Sequence, residues 1–466
     1  MTETENCRSM ALTPFARDPY HNFFEKNKMA FLKVDEKKFD DLESVLSSKQ
    51  CPKAILDRDE MSIRYEKFAT PIKTTEIPPT LKKDYAITYL KMALRLEKEG
   101  LTLTNSEFLS CHVDFNSEPF FKDFSSIVKK SNNTRFPFID FINNQYALIS
   151  LYNKYPRLIG LARDGGKLDI EDLMAIEHKF ANFFLSALSN LLSKPLSKKI
   201  SRFVKVYPFL YKNKLNPLAL VEIFKFLFDK NRSAEGVINL LLKELQSLPN
   251  FCFEGKWTDY YSSIDLEATF SEKSNWKINY QGNRAKAIIK VLEEDADKKY
   301  TLLDTGSNQG YFSLIGSNLG YRVTAMDYDV ASIDHLYRRL KKEAYRYELL
   351  PLVVNFSNLT SNDLQRLRSD YVIALGFTHH LWYVEGYTWE QISNTFSSLS
   401  EKVFITEFKP NTKGRGSKTI KSLAGSRYEL DDFTEALKKN FKTVEVVGEY
   451  TAEASTAGRL LIVARK

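Results

Sequence analysis

The chain has 466 residues, of which 43% are hydrophobic, 13% aromatic and 27% charged, a balance that excludes wholesale disorder and is enough for two or three packed domains. Sixty-seven Lys and Arg against 59 Asp and Glu leave a net charge of +8, too mild an excess to mark a nucleic-acid-binding protein yet compatible with an anionic substrate. No apolar run reaches the roughly 18 residues of a membrane span, Met1–Asn6 lacks the basic start of a secretory signal, and Cys7, Cys51, Cys111 and Cys252 stand too far apart for a zinc site or a disulfide framework. The expectation is a cytoplasmic protein without a metal.

Three regions are expected in chain order. Residues 1–165 read as an α+β region. Pro71, Pro78 and Pro79 precede a helix over Leu81–Gly100, in which Tyr85, Ile87, Leu90, Met92, Leu94 and Leu96 favour one broad face and Gly100 is the stop. Short strands are expected at Phe108-Leu109, Cys111–Phe115 and Pro119–Phe124. Residues 166–256 read as a helical subdomain or lid, because Ile170, Leu173, Ile176, Phe180, Phe183, Phe184, Leu188, Leu191 and Leu192 recur at helical spacing and Pro195, Pro208 and Pro217 divide the rest of the region into several helices. Within 193–230 nine Lys/Arg face two acids, which is a solvated helical face or a surface for an anionic partner.

Residues 257–466 carry a different grammar. Strands are expected at 300–304, 321–326, 349–354, 370–375 and 403–408, helices at 312–320, 333–345, 389–399 and 430–440, and two closing strands at 443–447 and 459–464. Such alternation predicts a doubly wound, mainly parallel α/β sheet. Its strongest feature is Leu302-Leu303-Asp304-Thr305-Gly306-Ser307-Asn308-Gln309-Gly310: a buried strand ends in an acid, and a glycine turn leads straight into a helix. Small residues there let the backbone approach a ligand at the carboxyl edge of the sheet. The pattern differs from the Gly-x-Gly-x-x-Gly of dinucleotide enzymes, and an acid inside the turn suits a ligand with an ammonium group better than a pyrophosphate. The next strand ends in Met326-Asp327, where a carboxylate can accept ribose hydroxyls.

This stretch resembles the cofactor site of class I S-adenosylmethionine-dependent methyltransferases. Together with Trp257–Tyr261, Ala325–Asp329, Leu336-Tyr337-Arg338, Ala374–His380 and Ile405–Phe408, it is similar to bacterial methyltransferases related to nodulation proteins. The resemblance implies a Rossmann-like methyltransferase domain with S-adenosyl-L-methionine as cofactor. It implies that Asp304, Gly306, Asn308 and Gly310 line that cofactor, that Asp327 binds its ribose, and that Asn355 contacts its adenine. Asn308 stands where the commonest form of the motif has glycine.

Catalytic candidates come after the fourth strand of this region. Thr378-His379-His380 reads as a loop at the same sheet edge, and either histidine is a candidate base for a hydroxyl acceptor. An unperturbed imidazole in that role makes the rate fall in acid with a midpoint of about 6.5. Glu407, ending the fifth strand, is a candidate to orient a histidine or the substrate, and the basic stretch Lys409–Lys418 a candidate cover for an acidic acceptor. The expected function is O-methylation of a small-molecule or glycan-like acceptor. The alternatives are an RNA or protein methyltransferase docking through 193–230, or a non-catalytic scaffold that keeps the cofactor pocket.

Overall fold

The computed structural model describes residues 72–149 and 222–251 with short interruptions, then 255, 282–410, 428–452 and 456–466, and four strands before residue 66 by their backbone alone. The apolar stripe 170–192, most of the basic stretch 193–230, Trp257–Tyr261 and residues 411–418 of the basic loop lie outside the described residues, as does the expected boundary at 165. The chain divides into two compact units: one from residues 1–69, 79–114 and 118–251, the other from 70–78, 115–117 and 252–466.

In the first unit, β1 (Phe23–Lys26), β2 (Met29–Lys33), β3 (Ala54–Asp57) and β4 (Ser62–Tyr65) form an antiparallel sheet of order β1-β2-β4-β3. Helix α1 (Pro79–Lys98) begins two residues before its expected start, since proline at a first helical position lacks only an N–H that would have no intrahelical partner. Leu81, Tyr85, Tyr89, Leu90 and Leu96 are buried along it, and Gly100 comes next in the left-handed region (φ +74°). Four three-residue strands come after it, β5 (Leu101–Leu103), β6 (Cys111–Val113), β7 (Pro119–Phe121) and β8 (Ile127–Lys129), pairing as β5 with β8 and β6 with β7. After α2 (Phe138–Phe141), helix α3 (Glu235–Ser247) packs on α1.

The second unit is an α/β Rossmann-like fold. Helix α4 (Gly282–Glu293) leads into β9 (Thr301–Thr305), α5 (Tyr311–Asn318), β10 (Arg322–Asp327), α6 (Val330–Lys342), β11 (Leu349–Val353), α7 (Ser361–Arg366), β12 (Ser369–Ala374), α8 (Thr378–Tyr383), α9 (Trp389–Leu399), β13 (Ser400–Phe408), α10 (Leu430–Lys438), β14 (Thr443–Ala452) and β15 (Thr456–Arg465). The seven strands order as β11-β10-β9-β12-β13-β15-β14. Pairings from β11 through β13 are parallel, while β15 is antiparallel to both its neighbours. Leu302, Leu303, Val372, Ile373, Phe404 and Ile405 are buried completely, as central strands covered by helices on both faces require. Strand order reverses between β9 and β12, and open α/β sheets bind ligands in the crevice outside the carboxyl ends at such a point.

Helices α4, α7 and α8 were not expected. In α4 the signal was present: Ala285, Ile288, Ile289 and Leu292 are buried at helical spacing. The Thr378-His379-His380 segment, read above as a loop, forms the first turn of α8.

Candidate active site

Strand β9 ends in Asp304-Thr305, and the Thr305 hydroxyl donates to the Ile373 carbonyl of β12 at 2.9 Å, tying the two strand ends together at the reversal point. The chain then coils through Gly306 (φ +71°), Asn308 (φ +51°) and Gly310 (φ +79°), all left-handed. Glycine enters that region freely and asparagine more readily than most residues, so Asn308 can hold a left-handed position between the two glycines. Space matters as well. A Cβ on Gly306 would stand 2.9 Å from the Phe377 ring, and one on Gly310 2.7 Å from the Leu336 side chain.

Every amide of this turn is already engaged. Gly306 and Ser307 donate to the Met326 carbonyl (2.9 and 3.1 Å), and Gly310 to the Ser307 carbonyl (2.9 Å). Asn308 donates to Asp327 Oδ2 (2.8 Å) and Gln309 to Asn308 Oδ1 (2.6 Å). A pyrophosphate needs such N–H groups pointing at it, so the turn is no anion nest.

Two buried carboxyl groups stand at the turn instead. Asp304 is 3% exposed, and its Oδ2 accepts the Ser313 hydroxyl at 2.5 Å. Burial raises its pKa to about 7; the Ser313 hydrogen bond and Arg284 work against that rise, and Asp327 adds to it. Asp327 ends β10, and burial raises its pKa too. Its Oδ1 accepts the Asp329 amide at 2.9 Å, and the Tyr328 amide also bonds to this carboxyl, so three backbone N–H groups hold it and, of about four acceptor sites, capacity for a further donor remains. Beside them the buried Ser307 hydroxyl has no hydrogen-bond partner among the described residues. These groups suit a ligand that brings positive charge and hydrogen-bond donors. Asn355 lies just past β11, exposed, with its Oδ1 accepting the Ser357 amide at 3.1 Å as a cap.

The other half of the sheet edge has the opposite charge. Glu407 on β13 is 1% exposed; its Oε1 accepts Arg284 Nε at 2.6 Å, and its Oε2 accepts Arg284 Nη2 and Arg459 Nη1, each at 2.9 Å. Both oxygens are thus bound by guanidinium groups, one from α4 and one from β15. Glu407, the candidate to orient a histidine or the substrate, is the anionic centre of a buried Arg–Glu–Arg cluster. Gly376 (φ +67°) turns directly over that cluster, since a Cβ there would stand 3.0 Å from Arg459 Nη1. The Thr378 hydroxyl donates to the Glu407 carbonyl at 3.1 Å, and the neighbouring Phe377 covers Gly306. The cluster therefore anchors the segment that roofs the glycine turn. Sequence reasoning missed Arg284 and Arg459; the apolar spacing of α4 could have located the first, whereas nothing local marks the second.

His379 and His380 open α8 with ring centroids 4.2 Å apart. His379 does not hold the ordinary imidazole value expected of it. Burial first, then the positive fields of His380, Lys409 and Arg459, push its pKa down to about 3, with Glu407 pulling weakly the other way. At neutral pH it is an uncharged imidazole, and its Nδ1 is buried without a hydrogen-bond partner among the described residues.

No family model matches the chain, and no curated protein matches it. Solved structures similar to it include the bifunctional kinase-methyltransferase WbdD, at 16% identity over 42% of each chain with a TM-score of 0.32. Magnesium protoporphyrin IX methyltransferase (ChlM) from Synechocystis PCC 6803 with bound SAH matches at 16% identity over 45% of this chain and 99% of that one, TM-score 0.28. The T. thermophilus 16S rRNA N2 G1207 methyltransferase (RsmC) in complex with AdoMet and guanosine matches at 15% identity over 40% and 44%, TM-score 0.26. The match to WbdD spans less than half of that protein's length. Among the described residues, no helix is long and apolar enough to cross a membrane.

Proposed function

We propose that this chain is a class I S-adenosylmethionine-dependent methyltransferase that methylates an oxygen of a small-molecule or glycan-like acceptor. The observation that carries the reading is the pair of buried carboxyls, Asp304 and Asp327, set around a glycine turn whose amides are all engaged. S-adenosylmethionine offers an ammonium, two ribose hydroxyls and no phosphate, which matches that inventory where a dinucleotide does not. In this reading the free acceptor capacity of Asp327 takes the ribose hydroxyls, Asp304 compensates the ammonium, and Asn355 lies on the adenine side beyond β11.

The cofactor supplies a methyl group activated by its sulfonium. Transfer is an in-line displacement, so the work of the protein is chiefly to hold the two reactants in line and to exclude water. Phe377 contributes by covering the glycine turn, and α8 carries His379 and His380 toward the acceptor. Titration calorimetry with S-adenosylhomocysteine tests the reading: the full chain binds it without added metal, and the Asp327→Ala variant binds it about tenfold or more weakly, as loss of hydrogen bonds to a charged group predicts. Equal affinity in the variant removes the ribose assignment, and preference for a nicotinamide dinucleotide removes the whole reading.

A further inference from the structure

The side of the sheet edge left unexplained by the cofactor is the cationic one. Arg459 pairs in register just beyond Leu460↔Phe408, which sets it beside Lys409 where β13 ends. Arg459 donates one N–H to Glu407, yet its Nε is buried with no hydrogen-bond partner among the described residues, and the same is true of His379 Nδ1. Arg459 and Lys409 are close enough to His379 to act on its charge. Glu407 thus takes both arms of Arg284 and one N–H of Arg459, with those two buried nitrogen atoms in the same neighbourhood. A buried polar nitrogen without a partner carries a cost that a hydrogen-bonding ligand removes, and a guanidinium fork matches the planar, paired oxygens of an anion.

We infer that the acceptor is an oxyanion, a carboxylate or a phosphate monoester, held by Arg459 and Lys409 beside His379 and methylated on the oxygen that carries the charge. This rests on the methyltransferase reading above and narrows its acceptor. A lone pair of the acceptor oxygen forms the new O–C bond while the S–C bond breaks, its electron pair passing to sulfur. The sulfonium becomes a neutral thioether, the acceptor loses one negative charge, and no proton moves. No general base is needed, which agrees with the groups around the reacting edge. Glu407 is locked between two arginines, and His379, faced by His380, Lys409, Arg459 and Glu407, is held neutral with little basicity. A neutral imidazole still carries one N–H and serves as a donor to the oxyanion.

The test uses the full chain with S-adenosylhomocysteine present, and two probes: acetate and inorganic phosphate. Binding is read from the ring signals of isotopically labelled histidine. The expected result is saturable displacement of the His379 signal by at least one probe, about tenfold or more weakened in Lys409→Gln and partly restored in Lys409→Arg, with S-adenosylhomocysteine affinity unchanged in both. If neither probe moves the His379 signal, or if Lys409→Gln leaves probe binding unchanged, the inference is overturned. Turnover separates the sources. With methyl-labelled cofactor and a panel of sugar acids, sugar phosphates and neutral glycosides, a carboxyl ester releases labelled methanol in mild base, whereas a phosphate ester keeps its label. Transfer confined to the neutral glycosides overturns the oxyanion acceptor and leaves the methyltransferase standing. Failure of S-adenosylhomocysteine to bind, measured separately, strikes the earlier reading instead.

Discussion

The two halves of the sheet edge are built from opposite charges. At β9 and β10 two aspartates are buried near each other without a salt bridge among the described residues, and both have pKa values raised by burial. At β12 and β13 one glutamate is buried between two arginines, and the nearby imidazole is pushed to the neutral form. The first half gathers buried carboxyl groups, whereas the second pairs its carboxylate with guanidinium groups and still leaves Arg459 Nε and His379 Nδ1 without partners among the described residues. A carboxyl group at a strand end therefore does not have one meaning. Asp327 is held by backbone amides alone and keeps acceptor capacity beyond them, whereas both oxygens of Glu407 are taken by guanidinium groups.

The contrast is broken most severely at Glu407. Glu407→Ala leaves two guanidinium groups facing each other without their counter-charge, and the cost of such a break is about 3–5 kcal/mol. Denaturant unfolding of the full chain measures it, and an effect below about 1 kcal/mol would mean that water replaces the carboxylate. Asp304→Asn is expected to go the other way, leaving the ligand-free protein as stable or more stable while weakening cofactor binding.

Gly310→Ala is next, because it forces a Cβ into the left-handed region and against Leu336 at 2.7 Å. Strain of this kind costs about 1–3 kcal/mol. Cofactor affinity should fall together with stability, since the turn and the Asp327 contact to Asn308 move as one. By comparison, Asp327→Ala should weaken the cofactor without equal loss of stability.

A smaller effect comes from protons. Asp304 has a folded pKa of about 7 against an ordinary 3.8, so the folded chain holds this proton more tightly than the unfolded one. Its contribution to stability is present below pH of about 4 and is lost as pH rises toward 7. A bound ammonium needs the charged carboxylate, so S-adenosylmethionine affinity is expected to rise roughly tenfold between about pH 5.5 and 7, with proton release visible as a buffer-dependent binding enthalpy. In Asp304→Asn that slope disappears.

The smallest expected change is at His379. Its pKa of about 3 keeps the ring neutral across the working range, so its ring signals should stay flat from about pH 8 down to about 4, where a free imidazole titrates near about 6.5. A midpoint at that free value would restore the role of general base read from the sequence alone.

Much of this unit was legible before any coordinates. Apart from α7, α8 and the longer β14, the strands and helices from Thr301 to Arg465 fall within a few residues of their expected places, and Trp389–Leu399 matches at both ends, because the apolar periods, the glycine turn and the stops are local signals. The turn and the acids at the ends of β9 and β10 come from the same short stretches. The sequence could not show which charges meet. Arg284 reaches Glu407 across 123 residues and Arg459 across 52. Only the order of strands in the sheet, with β15 folding back antiparallel against β13, brings them together. The same holds for Phe377 on Gly306 and for the amides of the glycine turn, several of whose partners lie on β10. Residue type and spacing decided that a histidine would stand at this edge; its protonation was decided by burial and by cations from β13 and β15, because desolvation and charge act through distance in space, not along the chain.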